Sequence, residues 1–354
     1  MLNSLISTIN YSVDRKKKYF ETKKNLKNKL KKTKMDAFTY FVLEVFPPVI
    51  LVVGISGDLI GIVTMASIKL KKLSVRNIYI YLLIFDLLYL LQLIILFMQF
   101  GIGGVYDYPD ASITFCKIFN FLNYSMATIS PSLIIYISVE RYISARYPSK
   151  RFIFGKNKTQ MLYLLAVCVY LTAFYLAYPF FYDLIPYTAG NTTTYSCSFD
   201  SSSSQIVLSF LFLVNSAILP FIIMFAITVL LVNVITKSRH RIAANHTAEE
   251  NKTFKRDFKF TVTSISLNLM FIILNLPVSI AIFFPNYQAS IIFVFCYYLF
   301  YSSYGINFYV LLAFNSIIWQ NFLTAFRLKR FSKFNSYNNT THEAVRPTRS
   351  VRND

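Results

Sequence analysis

Few side chains in this sequence could do chemistry, and several stand where charge is costly. Asp58 lies in Ser56-Gly57-Asp58-Leu59 and Asp86 in Leu82-Leu83-Ile84-Phe85-Asp86, each deep in a long apolar run. An ionised group in apolar surroundings costs about 3 kcal/mol or more, so it argues for a role. Two carboxylates facing one core would share a proton. Glu140-Arg141-Tyr142, at the end of another apolar run, sets an acid beside a guanidinium with which it can pair. Catalytic groups are scarce. The three histidines (His240, His246 and His342) stand apart from one another, and no phosphate-binding loop, metal-ligand cluster or heme signature occurs. The expectation is a protein that is not an enzyme.

The elements that hold these residues follow from composition. The chain has 354 residues, 55% hydrophobic and only 15% charged, yet its net charge is +20. An average soluble domain carries roughly 25% charged residues. Strong apolarity with strong basicity means segregation into long uncharged runs and short basic stretches. That excludes an ordinary soluble enzyme, a disordered chain and a disulfide scaffold, and points to a polytopic membrane protein. Seven runs are long enough to cross a bilayer as helix, near 41–67, 78–100, 113–138, 160–182, 206–236, 258–284 and 290–313. They are continuous rather than alternating, which favours helices over barrel strands.

Basic residues give the orientation. Lys and Arg crowd the connections 68–77, 139–159 and 237–257 and the tail 327–354, whereas 101–112, 183–205 and 285–289 contain none. Because Lys and Arg favour the cytoplasmic side, the N-terminus is expected outside and the C-terminus inside. Residues 1–34 contradict the pattern, with Arg15 and ten lysines on the expected outer side. Either this is a basic tail that translocates, or translation starts at Met35. Without 1–34 the net charge falls from +20 to +11, since Asp14 and Glu21 go with eleven bases. The basicity is thus topological information rather than a nucleic-acid footprint, and no nucleic-acid partner is expected. No signal-peptide pattern stands at residue 1.

Seven spans could form a receptor, a channel or a transporter. Here specific residues separate them. Span three ends Ser138-Val139-Glu140-Arg141-Tyr142, with Tyr147-Pro148 after it; Cys116 stands twenty-five residues before Arg141. Asp86 is in span two, Pro220 in span five, Pro277 in span six and Asn307 in span seven. In this order and spacing the chain resembles the rhodopsin-like G-protein-coupled receptors over about residues 41–328. The resemblance implies an all-α bundle of seven transmembrane helices with an eighth amphipathic helix. It also implies an extracellular disulfide between Cys116 and Cys197. A polar, sodium-binding core would join Asp58, Asp86, Ser130, Ser303 and Asn307. Glu140, Arg141 and Tyr142 would form the switch and G-protein contact, with Asp257 as the acid that holds spans three and six together at rest. Phe271, Asn275, Pro277 and Pro220 would form the activation hinge.

The sequence also departs from the family. Asp58 stands where Asn is usual, and Asn275 replaces the aromatic toggle before Pro277. Span seven reads Ile306-Asn307-Phe308-Tyr309-Val310-Leu311, without the usual Pro and Tyr, and Thr228 stands where span five usually has Tyr. Such divergence is similar to that of invertebrate peptide receptors, including FMRFamide-like types, or of chemosensory receptors.

The ligand expectation rests on the outer half. Asn123, seven residues after Cys116, replaces the Asp with which amine receptors hold an ammonium, and span seven has no lysine for a retinal Schiff base. Tyr89, Phe97, Tyr124, Tyr297 and Tyr301 are the aromatic candidates for a pocket. Asp107, Asp110, Asp183 and Asp200, with no base among them, give the outer loops an acidic character. A basic neuropeptide is expected, with a small chemosensory molecule as the alternative. A channel or transporter would need more ionisable residues deep in its spans than Asp58 and Asp86.

The expected organisation is an N-terminal segment 1–40, a receptor domain 41–313, an amphipathic helix 314–330 and a disordered tail 331–354. Ile318, Phe322 and Phe326 recur on one face of that helix. Asn191-Thr192-Thr193 is a glycosylation sequon on the outer side. The expected partners are a heterotrimeric G protein, an extracellular peptide or small-molecule ligand, membrane lipids, and receptor kinases and arrestin at the Ser/Thr-bearing tail. The expected location is the plasma membrane.

Overall fold

The computed structural model describes residues 37–67, 70, 75–100, 112–147, 151–189, 192–242, 248–281 and 291–326. The basic segment 1–34, Asp107, Asp110, the sequon at Asn191 and the tail beyond residue 326 lie outside these residues, as does the side chain of Phe97.

Helices run through all the apolar stretches: α1 (Phe38–Ala66), α2 (Arg76–Phe100), α3 (Ile113–Arg146), α4 (Asn157–Phe181), α5 (Ser203–Lys237), α6 (Ala248–Ala281), and α7, which is Ile291–Gly305 bent by 55° into Asn307–Phe314. A short α8 (Ser316–Ala325) follows. The spans are long and apolar enough for a bilayer when the bent pair counts as one. The fold is a multi-pass, seven-helix membrane bundle. Its outer surface is apolar, as lipid requires. Leu162, Leu165 and Val169 of α4 and Ile206, Ile222 and Phe225 of α5 are all exposed.

Sequence sets the helix ends. Ser112 accepts from Phe115 N at the start of α3, Ser201 accepts from Ser204 N before α5, and Asn315 accepts from Ile317 N and Ile318 N to open α8. Each side chain satisfies an amide that the first turn leaves unpaired. Prolines mark the irregular turns. Pro47 and Pro48 follow a π-helical turn at Phe41–Val45, and Pro220 follows another at Val214–Ile218. By contrast, α6 continues as helix through Pro277.

Helix α3 is central, packing on α2, α4, α5 and α6. It runs eight residues past the expected end at 138, because Glu140, Arg141 and Ser144 are buried and bonded to one another rather than solvated. The connection after α4 is not irregular. It forms an antiparallel hairpin, β1 (Tyr182–Ala189) with β2 (Thr192–Phe199), in which Leu184 faces Cys197. The β-branched run Thr192-Thr193-Thr194 after Gly190-Asn191 is the sequence signal for it.

Candidate functional site

Three polar regions are stacked along the bundle. At one end lies Arg141, 1% exposed, beside Glu140, fully buried. Arg141 donates from Nε and pairs through Nη2 with Glu140 Oε2, and Ser144 Oγ donates to Glu140 Oε1 at 3.0 Å. A buried ion pair survives when further hydrogen bonds satisfy its remaining atoms, which Ser144 does here. The Arg141 guanidinium also lies 5.7 Å from the centre of the Phe260 ring on α6. Asp257 is one turn before Phe260 on the same helix, so the structure brings the α6 acid to the same end as the α3 arginine. Tyr142, next along α3, is half-buried. Tyr79 of α2 is fully buried within electrostatic reach of both Arg141 and Glu140.

The second region is at mid-bundle. Asn307 Nδ2 donates to Asp86 Oδ2 at 2.7 Å, joining α7 to α2 across the bend. Asp58 of α1 is fully buried and feels the charge of Asp86. Among the described residues neither Asp58 oxygen nor Asp86 Oδ1 has a donor in hydrogen-bonding geometry, though Ser130 is close enough to Asp86 to influence it. Ser303 spends its hydroxyl on Phe300 O at 2.7 Å. These are hard oxygen ligands around buried acids, chemistry that suits a small cation or a shared proton.

A further network, absent from the sequence expectations, lies between this region and Arg141. Ser138 Oγ of α3 is 3.0 Å from Ser264 Oγ and 2.9 Å from Asn268 Oδ1 on α6. Asn268 Nδ2 donates to Thr228 Oγ1 of α5 at 2.9 Å. Four small polar side chains thus tie three helices. A repeated Ser/Thr/Asn spacing in otherwise apolar runs is the only sequence signal for such a network, and any one helix face could display it.

The third region is closed by a disulfide between Cys116 and Cys197, with Cα atoms 5.7 Å apart, which ties β2 to the start of α3. Asn120 Nδ2 donates to Cys116 O at 3.0 Å. The hairpin also reaches α3 through Tyr182, whose hydroxyl is 2.7 Å from that of Tyr124. The ring of Tyr124 packs against Tyr178 and Phe212, with centroids 4.9 and 4.8 Å away. Behind it, Thr128, Tyr175, Asn215 and Tyr170 form a chain of hydrogen bonds from α3 to α4 and α5. Asn215 sits in the π turn before Pro220. Across the bundle, Tyr89, Tyr297 and Tyr301 form a second ring group with Tyr304. By ring contacts the candidate pocket aromatics fall into two groups, Tyr124 in one and the other three in the second, within electrostatic reach of each other.

The hinge residues Phe271, Asn275 and Pro277 lie on α6. Phe271 is buried in the core, and Asn275 Nδ2 donates back to its carbonyl at 2.8 Å, two residues before Pro277.

The profile of the "7 transmembrane receptor (rhodopsin family)" matches residues 59–318. The chain belongs to this family. No curated relative matches the receptor. Its fold therefore carries the family's arrangement with altered parts. The bend in α7 comes without a proline, at Ile306 (φ −93°, ψ −16°), right after Gly305 meets α1. Tyr309 turns outward and donates to Val53 O at 2.9 Å. Thr228, in place of a tyrosine, holds Asn268.

Proposed function

We propose that this receptor lies in the plasma membrane with its N-terminus outside, and that it passes the binding of an extracellular basic peptide to a heterotrimeric G protein. The observation that carries the ligand class is a set of unmatched acceptors. Gln92 Oε1, Asn123 Oδ1 and Asn275 Oδ1 are buried, and none has a donor among the described residues. The amide orientation is fixed for two of them, because Gln92 Nε2 donates to Phe119 O and Asn275 Nδ2 to Phe271 O, and carbonyls only accept. The three are at similar depth: Asn123 is about five turns from Arg141, Asn275 about five turns from Asp257, and Gln92 reaches α3 one turn beyond Asn123. Acceptors in want of donors suit a ligand rich in N–H groups, such as a guanidinium or a terminal amide. Asp183 and Asp200, with no Lys or Arg in the same loop, would draw it in.

A small chemosensory molecule is the second reading, favoured by the tyrosines around Tyr89 and Tyr301. In either case ligand binding shifts a two-state equilibrium in which α6 moves relative to Arg141. A sodium ion at Asp86 would favour the resting state. Receptor kinases and arrestin would act on the Ser/Thr-bearing tail.

The test is a peptide-library screen in cells carrying a promiscuous G protein. The expected result is a response to a basic peptide that falls at least tenfold in potency with Gln92→Leu or Asn275→Leu at equal surface expression. A response to small volatile molecules and to no peptide would reverse the reading.

A further inference from the structure

A recess of about 260 Å³ opens between α3 and α5 at the Arg141 end of the bundle. Tyr142 and Arg146 line it from α3, and Leu230, Asn233, Val234 and Lys237 from α5. Its two cations project from the last turn of α3 and from α5 about one turn before its helix ends at Ile242. Among the described residues neither Arg146 nor Lys237 has an acidic partner. Asn233 and the Tyr142 hydroxyl add polar groups. Beneath them the wall is apolar and faces outward: Leu230 is 44% exposed. The recess is thus charged and polar at the span ends and greasy toward the middle of the membrane.

We propose that it binds an anionic phospholipid of the cytoplasmic leaflet. The phosphate sits between Arg146 and Lys237, and an acyl chain runs along Leu230 and Val234. Three physical points select this occupant. Basic recesses between helices at the cytoplasmic interface attract anionic headgroups, in a leaflet that is itself negative. A free phosphate would use the cations and leave the apolar wall wet. Two cations with no acidic partner among the described residues do not favour a basic or neutral peptide.

The site has a consequence for switching. Tyr142 adjoins Arg141, and Leu230 lies two residues beyond Thr228. A lipid bridging the two helices therefore acts on the same α3–α5 spacing that Ser138, Asn268 and Thr228 set inside the bundle. The proposal rests on the orientation given above. Access of an antibody to a C-terminal tag in intact and permeabilised cells checks that orientation separately.

The test uses full-length receptor in nanodiscs of phosphatidylcholine doped with a fluorescent phosphatidylinositol bisphosphate, read by energy transfer. Arg146→Gln with Lys237→Gln should weaken binding about thirtyfold, from the worth of two bases at an anionic surface. The charge-conserving pair Arg146→Lys with Lys237→Arg should bind as the wild type does. It also guards against misreading a misfolded variant. Lys156→Gln with Lys158→Gln, outside the recess, should change binding less than threefold. Leu230→Asn should weaken the lipid and leave soluble inositol trisphosphate unaffected. Equal loss in both arms would reassign the site to free phosphate. Unchanged lipid binding in the Gln pair, or equal loss in the Lys156/Lys158 pair, would overturn the proposal. So would loss of G-protein activation in lipid-free detergent with lipid affinity intact, because the recess would then be a protein contact.

Discussion

Gly54 of α1 and Gly305 of α7 stand backbone to backbone, so close that a methyl group on Gly305 would lie 2.7 Å from Gly54 Cα. In lipid, helices associate through close packing, and small residues permit it. This contact pins the first half of α7 to α1. Two residues later Asn307 turns inward to Asp86. The bend at Ile306 thus joins a backbone contact on one side to a polar contact on the other, with no proline.

That geometry ranks two substitutions. Gly305→Ala drives a methyl into rigid backbone and should cost about 1–3 kcal/mol. Gly57→Ala meets the ring of Tyr309 at 2.6 Å, a side chain that can swing aside, and should cost less. Thermal unfolding of detergent-solubilised receptor measures both. A midpoint for Gly305→Ala equal to that of Gly57→Ala would contradict the pinning role.

Ser138 carries one proton and faces two acceptors, Ile134 O and Asn268 Oδ1, each at 2.9 Å. Ser264 can donate to Ser138 Oγ, whose own proton serves one of the two acceptors at a time. Asn268 Nδ2 donates to Thr228 Oγ1 at 2.9 Å. Thr228→Val keeps the shape and removes the acceptor, leaving a buried amide unmatched at a cost of about 1–3 kcal/mol. Ser264→Ala should cost less, since Ser138 retains Ile134 O. Melting curves of the two variants give the order, and the reverse order would show that Ser264 is the essential link.

How far the sequence showed this architecture depends on periodicity against partnership. The spans, the α8 face of Ile318 and Phe322, and the Cys116–Cys197 pair were all legible, because apolar length, helical spacing and the family's cysteine pattern are local signals. The Ser138–Asn268–Thr228 network was not, because serines in an apolar helix do not announce which neighbour they meet. The outward turn of Tyr309 was likewise hidden. It depends on Gly57 opening a place for the ring on another helix. The hairpin could have been found from Gly190-Asn191 and the threonines after it, but the disulfide spacing alone says nothing about strands.

A sodium ion in the polar core, as proposed, would be held by Asp58 and Asp86. Asp86 has a donor in Asn307, whereas Asp58 has no hydrogen-bond donor among the described residues. Replacing Asp58 with Asn removes a buried titratable acid beside Asp86 and should raise thermal stability in sodium-free buffer. The wild type should be stabilised by added sodium chloride relative to choline chloride. Asp86→Asn should abolish that difference, and Asp58→Asn should reduce it. A sodium response that survives Asp86→Asn would remove the cation from this core.

Arg141 pairs with Glu140 on its own helix. One contact with α6 runs through the Phe260 ring, and a cation over an aromatic face contributes about 0.5–2 kcal/mol. Asp257, one turn away, is the further group that would favour α6 staying near α3. Since about 1.4 kcal/mol is a factor of ten in a two-state ratio, losing one such bias is visible without any ligand. Asp257→Ala should therefore raise ligand-free G-protein activation roughly threefold to tenfold, and Asp257→Glu should restore the resting level. Phe260→Leu should act in the same direction with a smaller effect, because it keeps the packing and loses only the ring's attraction. Nucleotide exchange on G protein with receptor in vesicles reads all three at matched receptor density. A fall in basal exchange for Asp257→Ala would mean that the acid serves the active state, bound to the G protein rather than holding α6 at rest.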